Sequence, residues 1–302
     1  MTLLRPLAFA AIFALAPYGA LAQGQDTSST GSGFDFGGSQ PIEISADNGI
    51  EWNRDGKTYT ARGNAVAVQG TSELHADTLI ATYGSSSNQI DHVTAEGAVK
   101  IMSPSQTAYG DRAEFDQVKH LLVMTGSGLK IVNAEETVTA RDSLEYWQDQ
   151  DALVAKGDVV IVKSDGTRID GDQVTSYFRK NAEGKREAFQ VKAEGNVRID
   201  TGKEVATCRR AVYDPNTRIA VLTGNVVLTQ NKNVFRGARA EIDMAKGISR
   251  LLPAEGQRVR TTISPKSNAN QGSSIPTNSA TPSANGTAGN DTLALDSTAT
   301  VQ

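Results

Sequence analysis

Apolar and polar residues alternate with the period of a β-strand through most of the chain. In the segment 97–101, Val99 and Ile101 share one face and Lys100 lies on the other, and 195–199 repeats this split. No segment of useful length shows the 3.6-residue period of a helix. The pattern predicts an all-β, antiparallel fold made of many strands of similar length joined by tight turns.

A glycine followed by a short apolar run recurs at intervals of 29 to 38 residues, and the clearest example is GNVVL at 224–228. A nearly constant period of this size is typical of a repeat architecture. A glycine inside a strand predicts a bulge or bend that re-aims the strand. The copies begin at Gly63, Gly97, Gly126, Gly157, Gly195, Gly224 and Gly256.

A second strand completes each repeated unit. It starts with Asp or Arg in most copies and continues with apolar residues at alternate positions; the copies begin at Asp77, Asp111, Asp142, Arg209 and Ala238. Segments rich in Gly, Asn, Asp and Pro, such as 53–56 and 214–216, provide the turns. In the strand 63–68 the pattern leaves open whether the valines or the alanines face inward.

The two ends of the chain differ from this ordered part. Residues 1–22 have the features of a signal peptide: Arg5, an apolar run over 7–16, and the sequence Ala-Leu-Ala before the expected cleavage. The segment 23–39 is rich in Gly and Ser and predicts a flexible arm, and 264–302 predicts a disordered tail. We therefore expect one ordered domain over 40–263, exported to the periplasm.

Composition limits the chemistry. The net charge is −4 and no basic cluster is present, which argues against a nucleic-acid partner. Aromatic residues make up 6% of the chain, so the core must be aliphatic. Cys208 is the only cysteine, which excludes an internal disulfide, and it is interpreted as a small strand residue. The three histidines are well separated and no catalytic motif is found, so we expect no metal, no cofactor and no enzymatic activity.

Several passages together resemble the OstA/LptA family of lipopolysaccharide-transport proteins. The resemblance is strongest at the two ends of the ordered part, and it rests on segments 40–47, 63–70, 74–77, 221–226, 235–237 and 256–259 and on Tyr213. The ordered part is longer than is typical of the family, with extra units in its middle. Either one sheet is extended or two family domains are fused; extension is favoured because no linker-like stretch interrupts the repeats.

The resemblance implies an open β-jellyroll, or β-taco, whose aliphatic interior holds the acyl chains of lipid A. It also implies a non-enzymatic bridge between the inner and outer membranes, with head-to-tail self-association and with LptC-like and LptD-like partners bound through the end strands. The residues expected to line the lipid-binding groove are Ile42, Ile44, Val99, Ile101, Phe115, Val159, Ile161, Val197, Ile199, Tyr213, Val226 and Leu228.

Two alternatives of other classes stay open at this point. A structural β-solenoid of the cell surface would have the same periodicity but a closed, dry core, whereas a transport groove would leave an opening. A secreted carbohydrate-active enzyme would need two facing carboxylates with aromatic residues nearby. Basic residues on the strands are interpreted as solvating an outer face rather than meeting lipid phosphates; they are Lys100, Lys130, Arg198, Arg209 and Arg210.

Overall fold

The structure is a computed structural model that describes residues 41–84, 90–184, 186–254 and 258–262. The predicted signal peptide, arm and tail, and the first two residues of the repeat copy that begins at Gly256, lie outside the described residues. The described strands of the first part are β1 Glu43–Ser45, β2 Ile50–Asn53, β3 Thr58–Gln69, β4 Ser72–Tyr83, β5 Ile90–Ser103, β6 Gln106–Asp116, β7 Leu121–Thr125, β8 Lys130–Asn133 and β9 Glu136–Thr139.

The remaining described strands begin with β10, and a 3₁₀ turn, Gln148–Gln150, lies between β10 and β11. They are β10 Ser143–Trp147, β11 Ala152–Lys163, β12 Arg168–Lys180, β13 Arg186–Asp200, β14 Glu204–Asp214, β15 Ile219–Gln230, β16 Asn233–Asp243, β17 Ile248–Leu252 and β18 Arg260–Thr262.

The strands form one continuous antiparallel sheet, and consecutive long strands pair from β3 to β6 and from β11 to β16. Four rows of the sheet consist of two short strands. β1 and β2 both pair with β3, β7 and β8 with β6, β9 and β10 with β11, and β17 and β18 with β16. β7–β10 and β8–β9 pairings join the two middle rows. The prediction of an all-β, antiparallel open jellyroll is confirmed.

A line of bulges crosses the sheet at the middle of the strands. Gly97 and Ala98 of β5 have φ of 79° and 45°, and the register with β4 shifts beside them, so that residues 97–99 of β5 face only Ala76 and Asp77 of β4. A Cβ atom at Gly97 would lie 2.1 Å from Asp77 Oδ2. Only glycine fits both the left-handed backbone and this close contact. The prediction of a bulge at the repeated glycine is confirmed here.

The same kind of contact between a glycine and a side chain from a neighbouring part of the sheet recurs along this fold line. In each case a Cβ atom on the glycine would lie 2.0 to 2.6 Å from that side chain; the pairs are Gly63 with Asn48, Gly126 with Asp111, Gly157 with Asp142, Gly195 with Asp172, and Gly224 with Arg209. This contact explains why Asp and Arg recur in the sequence repeat: their side chains lie against the glycines of the fold line. Asn48 and Asp172 take part as well, although the sequence pattern did not select them.

The core lies on the inner face of the bent sheet. Val99 and Ile101 are each 1% exposed and Lys100 is half-buried, which confirms the predicted split of faces. In β3 the alanines face inward: Ala65 and Ala67 are buried, and the valines that alternate with them are only partly buried. Small side chains at these inward positions leave space between the two halves of the sheet.

Candidate functional site

An apolar cavity, cavity one, lies between the two halves of the sheet in its first part. Ala61 and Ala67 of β3 lie on opposite sides of the bulge at Gly63 and both line it, so the strand folds over the cavity. It holds about 810 Å³ of empty space, part of it open to solvent. The lining is Ile42, Ile44, Ile50, Tyr59, Ala61, Ala67, Leu74, Leu79, Ala81, Ile90, Val93, Ala95, Ile101, Ala113, Phe115, Gln117 and Leu122.

A second cavity, cavity two, lies farther along the sheet and has a mixed wall. It holds about 1690 Å³ of empty space, also partly open to solvent. Its apolar lining includes Val138, Leu144 and Ile161, but Glu136 and Arg186 also face it. The other lining residues are Pro104, Ser105, Gln106, Ile131, Asn133, Ala134, Glu135, Leu153, Val154, Ala155, Val174, Ser176 and Phe178.

Arg186 is a fixed charge at one end of cavity two. Its side chain is 7% exposed, and its Nε and Nη2 lie 2.7 and 2.6 Å from Asp151 Oδ1. The guanidinium carbon lies 3.7 Å from the ring centre of Phe178 and 5.5 Å from that of Tyr146. Asp151 also accepts a hydrogen bond from the Tyr146 hydroxyl, at 3.2 Å. The carboxylate and the two rings therefore stabilise the buried charge of Arg186.

Glu136 brings a carboxyl group into the wall of the same cavity. Burial raises the pKa of Glu136, the positive charge of Lys163 opposes the rise, and the charge of Glu135 adds to it. Lys163 lies directly across from Glu136 in the pairing of β9 with β11. The wall of cavity two thus contains charged and titratable side chains. The lining of cavity one contains no Asp, Glu, Lys or Arg.

The predicted groove residues divide into three groups. Ile42, Ile44, Ile101 and Phe115 line cavity one, and Ile161 lines cavity two. The others are buried in the core between the sheet halves and are not among the residues that line either cavity: Val99, Val159, Val197, Ile199, Tyr213, Val226 and Leu228. All twelve pack in or against one apolar core, and their contact with lipid stays a prediction.

The sequence analysis missed much of the wall of cavity one. Leu74 and Leu79 of β4 line it, together with Ala61, Ala67 and Ala81. Alternation in β4 on each side of Asp77 was a usable signal for the two leucines. The alanines gave no such signal, because a small apolar residue is equally common on either face of a strand.

The basic residues of the strands contact other side chains on the outer surface. Arg198 forms a salt bridge with Asp200, and Arg210 one with Glu194. Lys130 lies 4.6 Å from the ring centre of Tyr109. Arg209 covers Gly224 at the fold line. These contacts agree with the interpretation that such residues belong to an outer face; Lys100 is half-buried.

Cys208 lies on the inner face of β14 and is 7% exposed. Burial raises the pKa of its thiol to about 11, so it is overwhelmingly protonated near neutral pH. Within the described ranges, no group of three or more His, Cys, Asp or Glu side chains could hold a metal ion. In the same ranges, no helix has both the length and the apolar character needed to cross a membrane.

An open antiparallel jellyroll with an apolar interior is suited to holding an apolar ligand. Comparison with known proteins shows to which class of protein this chain belongs. Segments 43–142 and 137–248 each match the family described as LptA/(LptD N-terminal domain) LPS transport protein. Together the two matches span more than half of the chain. The chain therefore belongs to this family of lipopolysaccharide-transport proteins, and it contains two successive matches within one continuous sheet.

Individual proteins similar to this chain include one known from its sequence and one solved structure. An uncharacterized protein of Rhizobium meliloti (strain 1021), R00383, is 25% identical over 145 residues, which cover 46% of this chain and 77% of that protein. The crystal structure of LptH from Pseudomonas aeruginosa, described as the LptA homologous periplasmic component of the lipopolysaccharide transport device, is 14% identical with a TM-score of 0.19. That match covers 75% of this chain and 96% of LptH. A superposition at this score supports no inference about the present chain.

Proposed function

We propose that this protein binds lipopolysaccharide in the periplasm and shields the acyl chains of lipid A in cavity one. The observation that carries the proposal is the wall of that cavity, which is lined almost entirely by aliphatic and aromatic side chains and is partly open to solvent. Moving an acyl chain out of water is worth about 0.8 kcal/mol for each CH₂ group. Membership of a lipopolysaccharide-transport family supports this choice of ligand.

The bridging part of the proposal rests on the edges of the sheet. Within the described residues, β1 and β2 pair only with β3, and β17 and β18 pair only with β16. Each end of the sheet therefore has a row of backbone groups that could pair with another strand. We propose that LptC-like and LptD-like proteins, or a second copy, add there and continue the groove. Contacts that join one end to the other do not close, so copies would form filaments.

Photo-crosslinking tests the lipid site. A photoreactive residue replaces Ile44, which lines cavity one, and in a matched variant it replaces Glu43, the exposed neighbour in the same strand. Both proteins are mixed with purified lipopolysaccharide, irradiated and blotted for lipid. We expect adducts from position 44 and few from position 43, because successive strand residues face opposite sides of the sheet.

Absence of an adduct at position 44 would favour the alternative of a structural β-solenoid with a closed core. If position 44 gives no adduct in a protein shown to be folded by circular dichroism, lipid does not enter cavity one and the groove hypothesis fails. A third probe at Val226 reports on the packed core, since this residue is 1% exposed and is not among the residues that line either cavity. Strong labelling at 226 would mean that the core opens to admit lipid.

A further inference from the structure

Four side chains form a stack at one end of cavity one. Trp52 of β2 and Tyr59 of β3 have ring centres 5.7 Å apart and nearly parallel planes, at 11°. Tyr59 lies 5.5 Å from Tyr83 of β4, and the Trp52 indole N–H donates a hydrogen bond of 3.1 Å to the Tyr83 hydroxyl. The guanidinium carbon of Arg54 lies 4.6 Å from the centre of the Trp52 ring. We call these four residues the rim stack.

The rim stack continues the wall of cavity one out to the ends of the strands. Tyr59 lines the cavity, as does Ile50, which precedes Trp52 by two positions in β2 and so shares its face. Tyr83 is the last residue of β4. Trp52 is 51% exposed and Tyr59 37% exposed, so the stack lies where the apolar interior meets water.

Rings with polar tips are well suited to such a boundary. The aromatic bodies extend the apolar surface, and the two tyrosine hydroxyls and the indole N–H provide hydrogen-bonding groups at the edge. The contacts between the rings hold the group in place before any ligand arrives. A molecule with apolar chains in cavity one would place the junction between its chains and its polar head at this position.

Arg54 adds a positive charge at the exposed end of the stack. It makes no salt bridge with any of the described residues; its only contact of this kind is with the Trp52 ring. The nearest carboxylates in sequence are Glu51, which alternation places on the other face of β2, and the turn residue Asp55. Arg186 differs, since Asp151 neutralises it. A guanidinium that is exposed and not paired with a carboxylate is suited to binding a phosphate through two hydrogen bonds.

We propose that the rim stack binds the phosphorylated sugar head group of the amphiphile whose chains occupy cavity one, and that Arg54 contacts its phosphate. This inference rests on the proposed function. It names the polar part of the ligand and the end of the cavity at which that part lies. Charge complementarity and continuity with the cavity wall favour this occupant for the side chains of the rim stack, and the backbone edge of β2 stays available for the strand pairing proposed above.

The test measures two affinities for each protein. Bisphosphorylated lipid A and dephosphorylated lipid A are titrated in the same detergent against the mature protein with a photoreactive residue at position 44, and adduct formation is followed. Arg54→Gln is compared with Arg62→Gln, which removes the same charge from an exposed position of β3 at the fold line. Inorganic phosphate and glucosamine 1-phosphate serve as competitors that lack acyl chains.

We expect Arg54→Gln to weaken binding of the bisphosphorylated lipid by about fivefold and to leave the dephosphorylated lipid unchanged. Arg62→Gln should change neither. Glucosamine 1-phosphate at millimolar concentration should compete better than inorganic phosphate, because the rings contact the sugar. Equal competition by the two would mean that the site recognises phosphate alone and would overturn the assignment of a sugar subsite.

Other outcomes separate the two proposals. If the parent protein gives no adduct with either lipid, the proposed function fails. If adducts form but Arg54→Gln leaves the preference for phosphate intact, or Arg62→Gln lowers it equally, the rim stack is not the head-group site. A Trp52→Ala variant that changes the oligomeric state in size-exclusion chromatography while keeping both affinities would show a contact between copies, and that result also overturns the inference.

Discussion

The two segments that match the family, 43–142 and 137–248, share a plan, but the two cavities along the sheet have different walls. Both consist of antiparallel strands bent at a glycine, and both bury aliphatic residues on the inner face. Cavity one, in the first segment, has no charged residue in its lining. Cavity two is lined by residues of both segments, and its wall contains Glu135 and Glu136 of the first and Arg186 of the second.

The difference comes from the ends of the strands rather than from their middles. Arg186 is the first residue of β13 and Glu136 the first of β9, so both follow turns. In the first segment, the rim stack lies at the ends of β2, β3 and β4, and its arginine is exposed. The repeat therefore determines a bent sheet with an inner face, and the residues beside the turns determine what the enclosed space can bind.

Breaking the buried charge pair should have the largest effect. Asp151→Asn removes the charge that faces Arg186 but keeps a residue that tolerates the left-handed backbone, φ 44°. We expect a loss of about 3 kcal/mol in the free energy of unfolding, because a nearly buried guanidinium is left without its counter-charge. Urea denaturation measures it.

The matched change in the first segment is Arg54→Gln, which should alter stability by less than about 0.5 kcal/mol because the residue is exposed. Equal losses of unfolding free energy in Asp151→Asn and Arg54→Gln would show that the pair of Asp151 and Arg186 does not stabilise the second segment.

The fold line should behave alike in both segments. A Cβ atom would lie 2.1 Å from Asp77 Oδ2 at Gly97 and 2.0 Å from Asp172 Oδ2 at Gly195, and the φ angles are 79° and 72°. We expect Gly97→Ala and Gly195→Ala each to destabilise the protein by about 2 kcal/mol in thermal or urea unfolding.

The control for the fold line is Gly166→Ala, in a turn. Gly166 has φ of 85°, but an added Cβ atom would meet nothing within 4 Å. Backbone strain alone then predicts a loss of about 1 kcal/mol. A loss as large as that at Gly97 would show that the close contact with Asp77 does not matter.

Placing a charged residue in each cavity in turn should show which of the two cavities binds lipopolysaccharide. Ile44→Asp in cavity one should weaken lipopolysaccharide binding by about tenfold, because the apolar wall offers the carboxylate no partner. Leu153→Asp in cavity two, where Arg186 also lies, should weaken it by less than about threefold. Titration with fluorescent lipopolysaccharide gives both numbers, and the reverse order would assign the lipid to cavity two.

The smallest effect concerns pH and belongs to cavity two. Burial raises the pKa of Glu136 above its ordinary value of 4.5, so the folded protein favours the protonated carboxyl. Its contribution to stability is complete below pH 4.5 and is lost as the pH rises through the raised pKa.

Glu136→Gln removes this dependence. The variant should become more stable relative to the parent as the pH rises from 4 to 8, by less than any of the preceding changes. Urea midpoints across that range measure the difference. Midpoints of parent and variant that stay parallel would show that Glu136 is solvated in the folded protein.

The sequence predicted most of the fold but only part of the cavity lining. Alternation at Val99, Lys100 and Ile101 was enough to assign faces, because the strand period leaves only two choices. The glycine repeat located the bends. Among the predicted groove residues, however, Val226 and Ile199 are buried in the same core as Ile101 yet line neither cavity one nor cavity two. Alternation distinguishes inside from outside, but it does not distinguish a packed interior from an open one.

By itself the sequence determined the antiparallel strands, their inward faces and the positions of their bends, since each follows from local periodicity and from backbone conformations that only glycine adopts easily. Only the tertiary structure decided where space remains between the sheet halves, because that depends on side chains distant in sequence, such as Ile44 and Phe115, that meet across the fold. It also decided that Arg54 stays exposed while Arg186 pairs with Asp151, which lies 35 positions before it in the chain.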